Sequence, residues 1–141
     1  METCNDVMTK NPIWCLRDES VVQAARLMKS QNIGSIPVIQ NELTRTLVGI
    51  VTDRDLAIEV VAEGVDPRTM AVGDVMSHNV ITCYPDDSLE IALHAMGEHQ
   101  LRRIPVVDYD NRILGIISQA DIATRVNEPE KTAEVVKEIS Q

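Results

Sequence analysis

Aromatic residues are nearly absent from this sequence. It contains no phenylalanine, and Trp14, Tyr84 and Tyr109 make up the whole aromatic share, 2% of 141 residues. A surface that stacks nucleic-acid bases on aromatic rings is therefore nearly excluded. A net charge of −9 also disfavours binding that depends on neutralising phosphates. Hydrophobic residues still reach 44%, so the composition is that of a globular protein whose core is built from aliphatic side chains and methionine.

The chain also has few cysteines and no long apolar run. Cys4, Cys15 and Cys83 are odd in number and show no C-x-x-C spacing, which argues against a zinc site or a disulfide framework. Buried, inert thiols are the simpler expectation, and a regulatory disulfide is the alternative. Apolar runs such as 47–51 are too short to cross a bilayer, and the N-terminus shows no signal-peptide pattern. We expect a cytoplasmic protein that binds no metal.

An internal repeat is the most informative feature of the sequence. Shifted by 68 positions, residues 6–39 align with 74–107, and thirteen of the 34 aligned positions are identical. Beyond this block the offset drops to 66, and the difference falls in a predicted hairpin turn that tolerates an insertion. The sequence therefore predicts two copies of one unit, 1–69 and 70–126. The remaining residues, 127–141, have the pattern of a short amphipathic helix that docks either on the domain or on a partner chain.

Each copy predicts the same order of elements. A short strand (13–16 or 80–84) precedes a capped helix (21–30 or 89–99), and Ser20 with Gln23 forms a capping-box pattern. Two apolar strands follow, which we expect to be buried on both faces (36–39 and 46–51; 104–107 and 113–117). A second helix then begins at Asp53 or Gln119. This β-α-β-β-α order indicates an α+β or α/β fold. Because neither copy makes a good core alone, the two are expected to pack face to face about a pseudo-twofold axis.

The same polar motif ends a strand in both copies. Thr52 precedes Asp55 by three residues, and Ser118 precedes Asp121 by three. Such residues are ordinary helix caps, which is the structural reading of either copy alone. Their recurrence in register favours binding, because a strand end that meets a helix start attracts anions. A carboxylate also accepts both hydroxyls of a ribose, so the pattern suits a nucleotide better than a metal or a peptide.

Residues 3–126 resemble a tandem pair of cystathionine-beta-synthase-type domains, called a CBS pair or Bateman module. The resemblance rests on Asp-Val-Met-Thr/Ser at the start of each copy, on the Ile-Pro-Val strand, and on Gly followed by two hydrophobic residues and Thr/Ser-x-x-Asp. It implies two β-α-β-β-α repeats with a cleft between them, and commonly a dimer. It also implies an adenosine compound as regulatory ligand, such as AMP, ADP, ATP or S-adenosylmethionine, with no cofactor otherwise required.

The resemblance assigns roles to individual residues. The ribose contacts would be Thr52 and Asp55 in one copy, and Ser118 and Asp121 in the other. The base pocket would be lined by the first strands and by the starts of the Ile-Pro-Val strands, at Pro12, Ile13, Ile36, Val80, Ile81 and Ile104. The residues themselves, rather than the resemblance, suggest that phosphate is held by arginines that differ between the copies, namely Arg54 in the first and Arg102 and Arg103 in the second; solvated surface arginines are the alternative. Because the copies are unequal, we expect at most one of the two sites to bind tightly.

The leading hypothesis is a regulatory module that senses an adenosine nucleotide and acts on a protein partner or through a homodimer. We expect no enzymatic activity, since the sequence shows no paired nucleophile and base, no glycine-rich phosphate loop and no metal cluster. The alternative is a structural dimerisation protein whose clefts are vestigial. A nucleic acid or a membrane is not an expected partner.

Overall fold

The computed structural model describes residues 2–125, so the predicted helical tail at 127–141 lies outside the described residues. The chain divides into two compact units. The first unit is Ile13–Val80, and the second combines the segment up to Pro12 with the segment from Ile81 onward. Each unit has a three-stranded sheet and a hydrophobic core of its own.

Six strands and six α-helices are formed within the described residues. The strands are β1 (Thr9–Lys10), β2 (Cys15–Leu16), β3 (Ser35–Ile39), β4 (Leu47–Thr52), β5 (Arg103–Val107) and β6 (Ile113–Ser118). The α-helices are α1 (Cys4–Val7), α2 (Val21–Gln31), α3 (Asp53–Leu56), α4 (Val72–Val75), α5 (Leu89–His99) and α6 (Gln119–Arg125). A π-helical turn, Ala57–Val61, continues α3, and a 3-10 turn spans Pro67–Thr69.

In the first unit, β3 is the central strand of the sheet. It pairs in parallel with β2 and antiparallel with β4. Residues 36–39 of β3 are all buried, as predicted, whereas β4 alternates between buried and half-buried residues. Helix α2 is capped by Ser20, whose Oγ accepts a hydrogen bond from Val22 N over 3.1 Å. The predicted capping box with Gln23 was wrong, because Gln23 N bonds the carbonyl of Ser20 instead.

In the second unit, β6 is central and lies between β1 and β5, both antiparallel to it. Helix α5 has the predicted bounds and ends at Gln100, which adopts a left-handed conformation with φ 55°. The core is aliphatic and sulfur-rich, as the missing aromatic residues require. Its largest fully buried side chains include Met96, Ile104, Ile117 and Ile122.

Two predicted strands are shorter in the structure. The expected strand at 13–16 narrows to Cys15–Leu16, and the one at 80–84 is reduced to a single bridge between Cys83 and Val106. The order β-α-β-β-α nevertheless holds in both copies, since the bridge at Cys83 takes the place of β2. No helix in the described part of the chain is long and apolar enough to span a membrane.

The compact units do not coincide with the sequence repeats 1–69 and 70–126. The segment up to Pro12 begins the first repeat but belongs to the second unit, and the start of the second repeat, up to Val80, belongs to the first unit. Met8 and Thr9 of the first copy pack against Gly115 of the second, and a Cβ on Gly115 would lie 2.6 Å from Met8 Sδ. Met76 and its neighbour Ser77 pack against Gly49 in the same way, also with a 2.6 Å approach to Met76 Sδ. The Asp-Val-Met segment of one copy and the motif glycine of the other copy are therefore packing partners.

Candidate functional site

The first candidate site lies where β4 ends and α3 begins. Thr52 Oγ1 accepts a hydrogen bond from Asp55 N over 3.1 Å, and Asp55 Oδ2 accepts one from Thr52 N over 2.8 Å. This reciprocal pair is a capping box, so the structural role of the motif is present. Within residues 2–125, no donor bonds Asp55 Oδ1 and the Thr52 hydroxyl donates to no acceptor. One carboxylate oxygen and one hydroxyl proton thus remain available at a half-buried position.

The second candidate site, between β6 and α6, has the same cap with more internal bonds. Ser118 N donates to Asp121 Oδ2 over 3.0 Å, and Asp121 N donates to Ser118 Oγ over 3.2 Å. The Ser118 hydroxyl donates to the same Oδ2 over 3.0 Å. Thr9 Oγ1 donates to the other carboxylate oxygen, Oδ1, also over 3.0 Å. Both oxygens of Asp121 are therefore occupied, unlike those of Asp55.

The predicted phosphate-binding arginines lie beside these caps. Arg103 is directly opposite Ser118 in the β5–β6 ladder, and residues opposite each other project from the same face of a sheet. The Arg102 carbonyl accepts a hydrogen bond from Gln119 N over 3.1 Å, which places this residue at the start of α6. Arg54 is exposed within α3. All three arginines are thus close in the fold to the motif of their own unit.

The predicted base-pocket residues fall into two groups. Pro12, Ile13, Val80 and Ile81 lie where the chain passes from one unit to the other, and each keeps some exposed surface. Ile36 and Ile104, in contrast, are 0% exposed within the cores of their units. Contact with a base would require these two side chains to be uncovered, so the structure gives that assignment no support and it stays a prediction.

Sequence reasoning missed Thr9, and it assigned no individual role to Asp53 or Gln119, which lie within the two motifs. Thr9 bonds Asp121, and Asp53 covers Gly34 so closely that a Cβ there would lie 2.9 Å from Asp53 Oδ2. Gln119 Nε2 is buried with no hydrogen-bond acceptor among the described residues. A signal was available in the repeat alignment, since Gly34 and Asp53 of the first copy are both replaced in the second, by Arg102 and Gln119.

The three cysteines are free and buried. Burial, with a smaller effect of the Glu19 carboxylate, raises the pKa of the Cys15 thiol to about 12. The Cys4 thiol donates to the Ser88 carbonyl and the Cys83 thiol donates to the Pro105 carbonyl, each over 3.9 Å. Interaction between the two thiols lowers the pKa of Cys4 and raises that of Cys83. No group of three or more histidine, cysteine or acidic residues is arranged to hold a metal ion within the described residues.

Comparison with known proteins agrees with the fold and the duplicated motif. The family model of the CBS domain matches residues 4–62 and 72–128. The CBS domain-containing protein YhcV of Bacillus subtilis is 36% identical over 140 residues, which are 99% of this chain and 96% of that protein. A structure of CBSX2 in complex with AMP has a TM-score of 0.77 and 27% identity, and the match covers 92% of this chain and 99% of the other. The CBS domain pair of protein MJ0100, in complex with 5′-methylthioadenosine and S-adenosyl-L-methionine, has a TM-score of 0.74 and 28% identity over 88% of this chain and 94% of the other. The chain therefore belongs to the CBS-domain family and consists of a pair of CBS domains.

Proposed function

We propose that this CBS pair senses an adenosine-containing ligand and acts, without catalysis, on a protein partner or on its own self-association. The observation that carries the proposal is the state of Asp55. Its Oδ2 is bound within the cap, whereas its Oδ1 has no donor among residues 2–125. A ribose presents two adjacent hydroxyl donors, which a carboxylate oxygen at a half-buried strand end is suited to accept.

The energetics of this contact are favourable. A hydrogen bond to a charged group contributes about 1.5–3 kcal/mol, and partial exposure of Asp55 reduces this toward the lower value. The Thr52 hydroxyl supplies a donor next to the acceptor, so the pair complements a sugar that both donates and accepts. AMP, 5′-methylthioadenosine and S-adenosyl-L-methionine, the ligands of the two neighbouring structures, have the adenosine group in common.

Calorimetric titration of the full chain with AMP, ADP, ATP, NAD and S-adenosylmethionine tests the proposal. Asp55→Asn is the informative variant, because the asparagine carbonyl still accepts from Thr52 N while the charge and the second acceptor are lost. We expect weaker binding with little change in the unfolding temperature, whereas Asp55→Ala loses both the cap and the ligand contact. Asp121→Asn is the matched variant in the second unit. The proposal is refuted by the absence of heat with every ligand, or by unchanged binding in both asparagine variants.

An apolar groove in the first unit supports the homodimer. It has a volume of about 420 Å³ and lies between α2 and the segment that follows β4. Its lining is mostly aliphatic, with two cations: Val21, Val22, Ala25, Arg26, Lys29, Leu56, Val60, Val61, Val65 and Pro67. Val61 of this lining is 76% exposed, and Ile58 beside the groove is 41% exposed. We propose a second copy as the occupant of this surface, because Glu59 and Glu63 are exposed near the groove and complement the charge of the cations on α2 in a two-fold contact.

Sedimentation of the wild-type chain and of Val61→Glu, with and without AMP, tests this part of the proposal. We expect the wild type to be dimeric and the variant to shift toward monomer, with Ile91→Glu as the control at an exposed apolar residue of the second unit. A purely structural dimerisation module is the second candidate, favoured by the fully bonded carboxylate of Asp121. It predicts dimers that show no heat with any adenosine compound.

A further inference from the structure

The two ribose motifs differ in the charge around them. Five repeat positions, counting the motif aspartate itself, carry two carboxylates and one guanidinium in the first unit, a formal charge of −1. In the second unit the same positions carry two guanidiniums and one carboxylate, a formal charge of +1. The positions are Gly34, Ser35, Asp53, Arg54 and Asp55 in the first unit, and Arg102, Arg103, Gln119, Ala120 and Asp121 in the second.

The backbone shows that these positions are equivalent in the fold as well as in the alignment. Asp53 N donates to the Gly34 carbonyl over 2.9 Å, and Gln119 N donates to the Arg102 carbonyl over 3.1 Å. Ser35 lies opposite Thr52 in its ladder, as Arg103 lies opposite Ser118 in the other. The substitutions therefore change the charge at the same place beside each motif.

In the first unit, a carboxylate lies beside Gly34, the position at which the second unit has Arg102. Asp53 Oδ2 lies so close to Gly34 that a Cβ there would be 2.9 Å away, so a side chain at position 34 would displace the carboxylate. Asp53 Oδ1 accepts from Arg54 N over 2.8 Å, which fixes its direction. The Asp53 carboxylate beside Thr52 and Asp55 repels a phosphate and leaves an uncharged ligand unaffected. Among these five positions of the first unit, Arg54 is the one cation that opposes this repulsion, against two in the second unit.

In the second unit, the groups beside the motif are unpaired donors. Arg102 and Arg103 form no ion pair with any residue in 2–125. Gln119 Nε2 is a buried donor without an acceptor, and an unsatisfied buried donor is unfavourable. Phosphate oxygens accept charge-assisted bonds from guanidinium groups and ordinary bonds from amides, so donors of these kinds beside the motif suit a phosphate.

We propose that the two units sort adenosine ligands by charge. The inference rests on the proposed adenosine-binding function and adds the ligand class of each site. The second unit takes an adenosine nucleotide that carries phosphate, and the first unit takes an adenosyl compound without phosphate, of the class of 5′-methylthioadenosine.

Titration calorimetry of the full chain with AMP and with 5′-methylthioadenosine tests this assignment. We expect Asp121→Asn to weaken AMP binding more than Asp55→Asn does, and the reverse order for 5′-methylthioadenosine. The double variant Arg102→Gly/Arg103→Ser gives the second unit the residues of the first. It is expected to lower the AMP affinity about tenfold. Raising the salt concentration should weaken the binding of AMP only.

Arg112→Ser is the control, because it removes a guanidinium from the exposed turn between β5 and β6. It should leave both affinities unchanged, and thermal unfolding of every variant reports whether it is folded. The charge assignment is overturned when both ligands bind but Asp55→Asn weakens AMP binding more than Asp121→Asn does. It is also overturned when the double arginine variant binds AMP as tightly as the wild type. If neither compound binds the wild-type chain, the proposed function itself fails, and the sorting of ligands with it.

Discussion

Thr9 donates a hydrogen bond to the Oδ1 atom of Asp121 over 3.0 Å, although the two residues are 112 positions apart in the chain. The bond joins the start of the first sequence copy to the Ser118–Asp121 motif of the second. Ser77, which corresponds to Thr9 in the repeat, forms no such bond with Asp55 within the described residues. The Thr9 hydroxyl therefore occupies Oδ1 of Asp121, whereas Oδ1 of Asp55 has no donor among the described residues.

Replacing Thr9 by valine should improve ligand binding at Asp121. The variant keeps the shape of the side chain but frees Oδ1, so a ribose no longer competes with an internal donor. We expect tighter AMP binding by up to about tenfold, and a loss of about 0.5–1.5 kcal/mol in the free energy of unfolding. Calorimetry and chemical denaturation measure the two effects, and Ser77→Ala is the matched control. Weaker AMP binding in Thr9→Val would show that Thr9 assists the ligand instead of competing with it.

The close approach at the two motif glycines predicts that neither accepts a side chain. In Gly49→Ala and Gly115→Ala, the new Cβ would meet the sulfur of Met76 or Met8 at 2.6 Å and a backbone carbonyl at 2.8 Å. Since the carbonyl belongs to a paired segment, it has little freedom to move, and we expect each variant to lose about 1–3 kcal/mol of stability. Urea denaturation checks this. Val48→Ala, at the partly buried residue next to Gly49, is the control for a change in the same strand. Wild-type stability in both glycine variants would contradict the observed packing.

Cys15 predicts a pH dependence of stability in the alkaline range. Its pKa is raised from 9.0 in the unfolded chain to about 12 in the folded protein, chiefly by burial. The folded state therefore binds the proton more tightly, and the contribution to stability is complete below pH 9 and is lost as the pH rises toward 12. Chemical denaturation at pH 8 and at pH 10 measures the free energy of unfolding. We expect this free energy to fall less between the two pH values in Cys15→Ala than in the wild type. An identical loss in both proteins would contradict this assignment.

Much of the fold was predictable because the repeat and the periodicity report local structure. The bounds of α5 and the turn positions followed from capping residues and apolar spacing. The exchange of first segments was not predictable, because nothing local in Asp-Val-Met distinguishes packing on Gly49 from packing on Gly115. The strand predicted at 80–84 is reduced to the bridge at Cys83, because an apolar run does not show how many of its residues pair with a neighbouring strand.

The site was predicted in part for the same reason. The spacing of Thr52 and Asp55 identified the cap and the carboxylate, which are local features. The bond from Thr9 and the burial of Ile36 and Ile104 depend on tertiary packing, and no motif within either copy encodes them. The replacement of Gly34 and Asp53 by Arg102 and Gln119 was visible in the alignment, but the proximity of Gly34 to Asp53 became evident only from the structure.

The central claim is that a carboxylate of the motif holds the ribose, and one titration tests it most directly. Adenosine and 2′,3′-dideoxyadenosine share the base and differ only in the two ribose hydroxyls. The account predicts that the wild-type chain binds the dideoxy compound about tenfold more weakly, and that Asp55→Asn reduces this difference. Equal affinity of the wild type for the two compounds would contradict it.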